Sequence, residues 1–275
     1  MRRRFWQVDV FGEAAYRGNP LAVVLDGEEL SDDEMQRFAN WTNLSETTFV
    51  LPPTERNADY LVRIFTPSEE LPFAGHPTLG TCHVWLAAGG APRDPDVVVQ
   101  QCGVGLVPVR RAGEQLAFAA PPLVRSGLLD AVDRERVVSN LGVDPATVVD
   151  AAWVDNGPGW AAVLVDSVDT VLALRPGHLD LPIGAVALYP PGSPSHIEVR
   201  AFFSAGGVTV EDPVTGSLNA SLAQWLLGSG RLAAPYVAHQ GTVLGRSGRI
   251  DVSSDSDTIW IGGGVSVGIV GHVEL

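Results

Sequence analysis

A chain of 275 residues, 45% of them hydrophobic, buries a large core as one big domain or two ordinary ones, and its formal net charge of -14 excludes a nucleic-acid or anionic-membrane partner, because phosphate contacts need clustered Lys and Arg. The basic run Arg2-Arg3-Arg4 is followed by Phe5-Trp6-Gln7-Val8-Asp9-Val10-Phe11, too short and too interrupted for a signal-peptide core, and no apolar stretch reaches spanning length, so the cytoplasm is the expected location. Cys82 and Cys102 have apolar neighbours and no C-x-x-C spacing, and read as buried thiols.

In chain order, residues 5–11 and 21–25 read as strands joined through the turn-rich link Arg17-Gly18-Asn19-Pro20. Ser31 with Glu34 three positions on forms a capping box, after which Met35, Phe38, Ala39 and Thr42 recur on one face of a helix that ends near Asn43. Residues 47–51 and 60–65 read as strands, and a loop carrying His76 feeds a helix over 78–88 closed by Gly89-Gly90. Strands follow at 97–101, 104–110 and 115–119. Pro121-Pro122 then marks a boundary, giving units over 1–122 and 123–265. The second unit has a helix near 131–141, strands near 151–155 and 160–165, a short helix near 168–173, and strands at 184–188 and 196–203. After a loop carrying Asp212 comes a helix with Leu218, Leu222, Trp225 and Leu226 on one face, ended by Gly228. From Tyr236 onward short strands are punctuated by glycines, and Gly262-Gly263-Gly264 reads as a bend, since its spacing matches no nucleotide loop.

The two loops form a weak internal repeat. His76-Pro77 and Asp212-Pro213 are each followed by a glycine four positions after the ionisable residue, then a hydroxyl residue, Thr81 or Ser217. Proline suits a turn or a first helical position and glycine allows close approach to the backbone, so two helix N-termini are expected to face one cleft between the halves. Amides around Gly75, Gly80 and Gly216, with the Ser217 hydroxyl, suit a small anion. His83, His178, His196, His239 and His272 are scattered without ligand spacing, so no metal is assigned.

Five segments carry a further signal: Val8-Asp9-Val10-Phe11, the run from Gly18-Asn19-Pro20 to Val24, the run from Asn43 to Phe49 containing Ser45-Glu46-Thr47-Thr48, Phe73-Ala74-Gly75-His76-Pro77-Thr78, and Glu211-Asp212-Pro213-Val214-Thr215-Gly216-Ser217. Weaker echoes are Asn156-Gly157-Pro158-Gly159-Trp160 and Gln240-Gly241 before Gly245-Arg246. In these segments, which run in order over nearly the whole chain, the sequence resembles the PhzF-like family of phenazine-biosynthesis isomerases, related in fold to diaminopimelate epimerase and proline racemase. The resemblance implies an α+β fold of two pseudo-symmetric domains, each a curved, mostly antiparallel sheet or open barrel around a central helix, with the last strand, about 266–275, returning to the first domain. It also implies an active site between the domains, no cofactor and commonly a homodimer.

By the same resemblance Glu46 abstracts a proton and redelivers it across an allylic system, with His76 and Asp212 near the same substrate, a small carboxylic acid. A shielded carboxylate suits this work because it returns what it takes without losing the proton to water. Ser45, Gly75, Gly216 and Ser217 are the expected substrate-binding positions. Outside the motif, Glu46 reads as a strand-edge carboxylate facing water, and Asp212 as a helix cap. The epimerase relatives place one cysteine on each side of the substrate, at positions near His76 and Asp212. This chain has none there, which favours a one-base, same-face isomerisation. The other class in play is a protein that keeps the fold and binds a small acid without turnover.

Overall fold

The structure is a computed structural model that describes every residue of the chain except Glu114 and Asp257. In chain order its elements are β1 (Arg2–Val10), β2 (Asn19–Val24), α1 (Asp32–Thr42), β3 (Glu46–Leu51), β4 (Tyr60–Phe65), β5 (Glu70–Leu71), α2 (Gly75–Ala87), β6 (Val97–Cys102), β7 (Gly105–Ala112) and β8 (Gln115–Ala119). There follow β9 (Arg125–Leu128), α3 (Ala131–Leu141), β10 (Val148–Asp155), β11 (Ala161–Val165), α4 (Val168–Ala173), β12 (Ile183–Leu188), β13 (Ile197–Ala205), β14 (Val208–Asp212), α5 (Gly216–Gly228), β15 (Tyr236–Gln240), β16 (Gly248–Asp255), β17 (Thr258–Gly263) and β18 (Val265–Glu274). The chain divides into two compact units: Met1–Ala119 with Gly262–Leu275, and Ala120–Ile261. No helix among the described residues is long and apolar enough to cross a membrane.

In the first unit β18 pairs antiparallel with β1, and β1 with β2. β2 runs parallel to β3, β3 antiparallel to β4, β4 antiparallel to β5 and parallel to β6, and β6 antiparallel to β7. In the second unit β10, β11, β12, β13, β14, β15 and β16 repeat the same succession of antiparallel and parallel pairings. The helices repeat with them. α1 and α4 each make the crossover between two parallel strands, and α2 and α5 each follow the short strand β5 or β14. The fold is thus α+β, built from one supersecondary plan used twice.

Local chemistry sets the element ends. Ser31 caps α1 through its hydroxyl, which accepts from the Glu34 amide at 3.4 Å, while the Glu34 carboxylate accepts from the Ser31 amide at 2.9 Å. Asn43 closes the helix at φ 54°, a left-handed conformation that Asn tolerates well. Beneath α1, Met35, Phe38 and Ala39 meet Val24, Phe49 and Phe65, and Phe38 and Phe65 both meet Phe49 edge-on at 6.2 and 5.7 Å, the geometry that ring quadrupoles favour.

α2 and α5 are buried differently from α1. Every residue from Gly75 to Cys82 is buried, and α2 touches β1, β2, β3, β6, β7, β8 and β18, as expected of a helix apolar around its whole circumference. α5 likewise buries Leu218 through Ala223 and Leu226, whereas Trp225, expected on its inner face, is half-buried. Close approach of α2 to the sheet depends on Gly80, where an added Cβ would lie 2.6 Å from the Leu21 side chain, 3.0 Å from Val10 and 3.1 Å from Val8.

The start of α2 differs from the pattern read in the sequence. α2 begins at Gly75, so Pro77 is its third residue, in the first turn where the missing N–H has no intrahelical partner to lose. Strands β5, β9 and β14, absent from the sequence reading, are short or solvent-facing: β9 is exposed along all four residues and shows no alternation. Gly80→Ala is expected to destabilise the protein by about 1–3 kcal/mol through overpacking, measured by chemical denaturation; a loss within experimental error would show that the helix yields freely at this position.

Candidate active site

The register of β2 on β3 pairs Leu21 with Glu46, the first residue of β3. His76 is the second residue of α2, and Leu21 is also the side chain that abuts Gly80 one turn further along that helix. This shared neighbour helps fix helix and strand ends together. His76 Nε2 lies 3.1 Å from Glu46 Oε2, with side-chain exposures of 5% and 14%. On the other side of the ring, Asn19 Nδ2 donates to His76 Nδ1 at 3.3 Å. Ser45 lies in the bend directly before β3, half-buried, and Gly75 is buried at the first position of α2.

A buried polar network holds this end of α2. Thr78 Oγ1 donates to Ala74 O at 2.9 Å and accepts from Gln100 Nε2 at 2.9 Å, and Tyr60 OH donates to Gln100 Oε1 at 3.0 Å. The hydroxyls of Thr48 and Thr81 meet at 2.8 Å, which joins β3 to α2 two residues beyond Glu46. Ala74 is the N-cap and gives no side-chain cap, so these side chains and the surrounding backbone set the start of the helix. His76 lies inside the first turn and does not open a loop before it.

In the second unit Asp212 ends β14 and lies four residues before α5, whose N-cap is Thr215. The cap reading of Asp212 is therefore replaced: its carboxylate accepts a bond from the Thr215 hydroxyl. The His-Pro and Asp-Pro pairs of the sequence repeat occupy unlike positions, one within a helix and the other before one. By helix start, Gly216 matches Gly75, and Ser217 matches His76.

Gln240, on β15, organises this loop. Its Oε1 accepts from the Thr215 amide at 3.0 Å and from Asn219 Nδ2 at 2.9 Å, while its Nε2 donates to Asp212 O at 3.1 Å and Thr215 Oγ1 at 2.9 Å. All four bonds of a wholly buried amide are made, the condition under which such a group stabilises rather than costs. Ser217 Oγ accepts from Trp160 Nε1 at 3.3 Å, and Ser217 O from Asn156 Nδ2 at 3.0 Å. The Asn156–Trp160 turn that brings both is closed by Asp155 Oδ1, which accepts from the amides of Gly157 and Gly159 at 2.7 Å each. Ser217 thus keeps its own hydrogen for donation.

One sequence expectation changes, and two residues gain partners that the sequence did not assign. Gly80 packs against the sheet inside α2 and offers no anion site, because an atom added at its Cα meets Leu21. Asn19 and Gln240, singled out only as motif letters, touch His76 and Asp212. Their partners lie 57 and 28 residues away in the chain, beyond the reach of any local pattern. Cys82, on α2, is wholly buried, and burial pushes its thiol up to about 12. A cavity of about 300 Å³ in the first unit, lined by Arg4, Asp26, Pro52, Tyr60 and Trp85 among others, includes neither Glu46 nor His76, and its Arg4 and Asp26 neutralise each other through two bonds of 2.9 Å.

The family profile described as phenazine biosynthesis-like protein, PhzC-PhzF, matches residues 8–265. Antisense-enhancing sequence 1 of Schizosaccharomyces pombe is 35% identical over 282 residues, covering 94% of each chain. Trans-2,3-dihydro-3-hydroxyanthranilate isomerase of Pseudomonas aeruginosa is 36% identical over 257 residues, covering 90% of this chain and 88% of the relative. The crystal structure of a PhzF-family phenazine biosynthesis protein from Enterococcus faecalis aligns over the whole of both chains with a TM-score of 0.81 and 25% identity.

Burial both raises the Cys82 thiol and shields it from reagent. Cys82 is expected to resist a maleimide in the native protein and to label at once in denaturant, as followed by mass spectrometry; rapid native labelling would contradict the burial described.

Proposed function

We propose that this chain, which belongs to the phenazine biosynthesis-like family and is an isomerase, moves a proton between two carbons of a small carboxylic acid with Glu46 as the one acid and base. The observation that carries this reading is the near-buried pair of Glu46 and His76 at 3.1 Å. In the forward step a Glu46 carboxylate oxygen takes a proton from carbon, and the electron pair of that C–H bond forms a new π bond to the neighbouring carbon as the original double-bond pair shifts to the far carbon of the allylic system. The other end of the allylic system then takes the proton back from the Glu46 carboxyl group, which returns to carboxylate. Atoms and charge balance without a second base.

Two features support a single carrier. Glu46 opens β3 opposite Leu21, and by the repeated plan its counterpart opening β12 opposite Ala161 is Ile183, which cannot carry a proton. The thiol of Cys82, held protonated by burial, is no substitute. His76 steadies the Glu46 carboxylate through Nε2. Asp212 is assigned as a further ionisable group of the reaction, and Ser45, Gly75, Gly216 and Ser217 as substrate contacts. Of these, the Ser217 hydroxyl is poised to donate, its oxygen already accepting from Trp160. Backbone and hydroxyl donors of this kind suit a carboxylate and the enolate charge that develops beside it.

The relative named for trans-2,3-dihydro-3-hydroxyanthranilate supplies the first substrate to assay. Glu46→Gln is expected to lower kcat by about 10² to 10⁴-fold, the range of a general acid–base group, with ligand affinity within about threefold of wild type by calorimetry, because amide and carboxylate are nearly isosteric. Turnover by the variant at the wild-type rate would remove Glu46 from the reaction. Asp212→Asn is expected to reduce kcat by about tenfold or more; an unchanged kcat would confine Asp212 to holding Thr215.

A further inference from the structure

Two of the motif segments, Val8-Asp9-Val10-Phe11 and Gly18-Asn19-Pro20, have no part in the chemistry above, yet the second reaches the ring of His76 and the first holds the second in place. The loop between β1 and β2 returns to the sheet under the hold of Asp9, a buried carboxylate whose Oδ2 accepts from the amides of Arg17 and Gly18 at 2.9 Å each, and whose Oδ1 lies 3.0 Å from the Gly18 amide. At the loop's start, Phe11 N donates to Gly264 O at 2.7 Å. Gly18 runs so close to β1 that an added Cβ would lie 2.1 Å from Val10 O, a distance no other residue tolerates. Asn19, next in the chain, pairs with Val10 in the β1–β2 register and is wholly buried. Its side chain is thereby delivered to His76 from a rigid base.

The hydrogen inventory of the contact has a consequence. Asn19 Nδ2, 3.3 Å from His76 Nδ1, carries two hydrogens and no available lone pair, so Nδ1 must present its lone pair. The ring hydrogen then sits on Nε2, the nitrogen 3.1 Å from Glu46 Oε2. The opposite arrangement, with Asn19 turned to present Oδ1, would place the ring hydrogen on Nδ1. Nε2 would then carry no hydrogen with a carboxylate oxygen 3.1 Å away, which is repulsive. Glu46 thus selects the amide orientation, and the amide in turn disfavours a hydrogen on Nδ1.

We propose that Asn19 is a positioning residue that holds His76 as the tautomer with its hydrogen on Nε2, the ring nitrogen beside the Glu46 carboxylate. The proposal rests on the assignment of Glu46 and His76 to the reacting pair, since it is there that the tautomer matters. Asn19 acts through His76 and needs no contact with substrate. Asp9 and Gly18 serve it by fixing where the amide stands, which gives both motif segments a physical reason.

The test reads the ring directly. Two-bond ¹H–¹⁵N correlation spectra of ¹⁵N-labelled protein near neutral pH, with His76 assigned by its loss in His76→Gln, are expected to show a protonated Nε2 and an unprotonated Nδ1. A hydrogen on Nδ1, alone or together with Nε2, overturns the proposal without any Asn19 variant. Asn19→Ala is expected to give averaged ring signals, and kcat lower by about tenfold or more, the usual cost of losing an orienting partner, with KM within about threefold. Asn19→Asp, nearly isosteric and safer for folding, is expected to draw a hydrogen onto Nδ1. Wild-type ring signals in both variants would overturn the proposal. Absence of turnover by the wild-type protein with trans-2,3-dihydro-3-hydroxyanthranilate would count against the functional reading alone, and the spectra would still decide the role of Asn19.

Discussion

The contact between Glu46 and His76 constrains the rest of the first unit. A carboxylate withdrawn from water costs free energy unless a partner stands at the right distance, and here the partner comes from a different element, 30 residues on. Holding the two at 3.1 Å requires that β3 keep its register on β2 and that α2 keep its depth in the sheet. A slip of β3 by one residue would turn Glu46 to the opposite face. The Thr48–Thr81 bond and the Leu21–Gly80 contact oppose such a slip from two directions. The buried chain Tyr60–Gln100–Thr78 adds a third restraint at the start of the helix. Buried side chains outside the pair thus determine whether it exists.

The repeated plan of the two units explains why one fold supports unequal halves. Both units place a wholly or largely buried helix after a short strand, and both leave that helix without a side-chain cap, so each must be satisfied from outside itself. The solutions differ. Threonines and Gln100 form the polar contacts around α2, and Gln240 holds the N-cap residue Thr215 before α5. The chemical groups differ too, with Glu46 against Ile183 at matching strand starts and His76 against Ser217 at matching helix positions. The architecture repeats while the side chains at its matching positions diverge.

Much of the architecture was legible in the chain because its signals are local. The Ser31 capping box, the left-handed stop at Asn43 and the strand runs flanking the turn at Gly18 each depend on residues a few positions apart. The helix start at Gly75 was misplaced because Pro77 and Pro213 look alike in sequence, although one is inside a first turn and the other precedes an N-cap. Gly80 invited a ligand-approach reading, but three side chains from β1 and β2 occupy the space. Of the candidate site, the ionisable residues stood out by motif. Asn19 and Gln240 did not, since a buried amide has no periodicity and its meaning lies in partners far along the chain. That the strand position matching Glu46 in the second unit is Ile183 could be read only once strand pairing aligned the two plans.

The central claim is that one carboxyl group carries the same hydrogen from the first carbon to the second. It is tested most directly by a substrate deuterated at the donor carbon, turned over in light water and analysed in the product after a single turnover by mass spectrometry and NMR. The account predicts deuterium at the acceptor carbon well above the solvent level, on the face from which it left. Complete replacement by solvent hydrogen, or delivery to the opposite face, would contradict it.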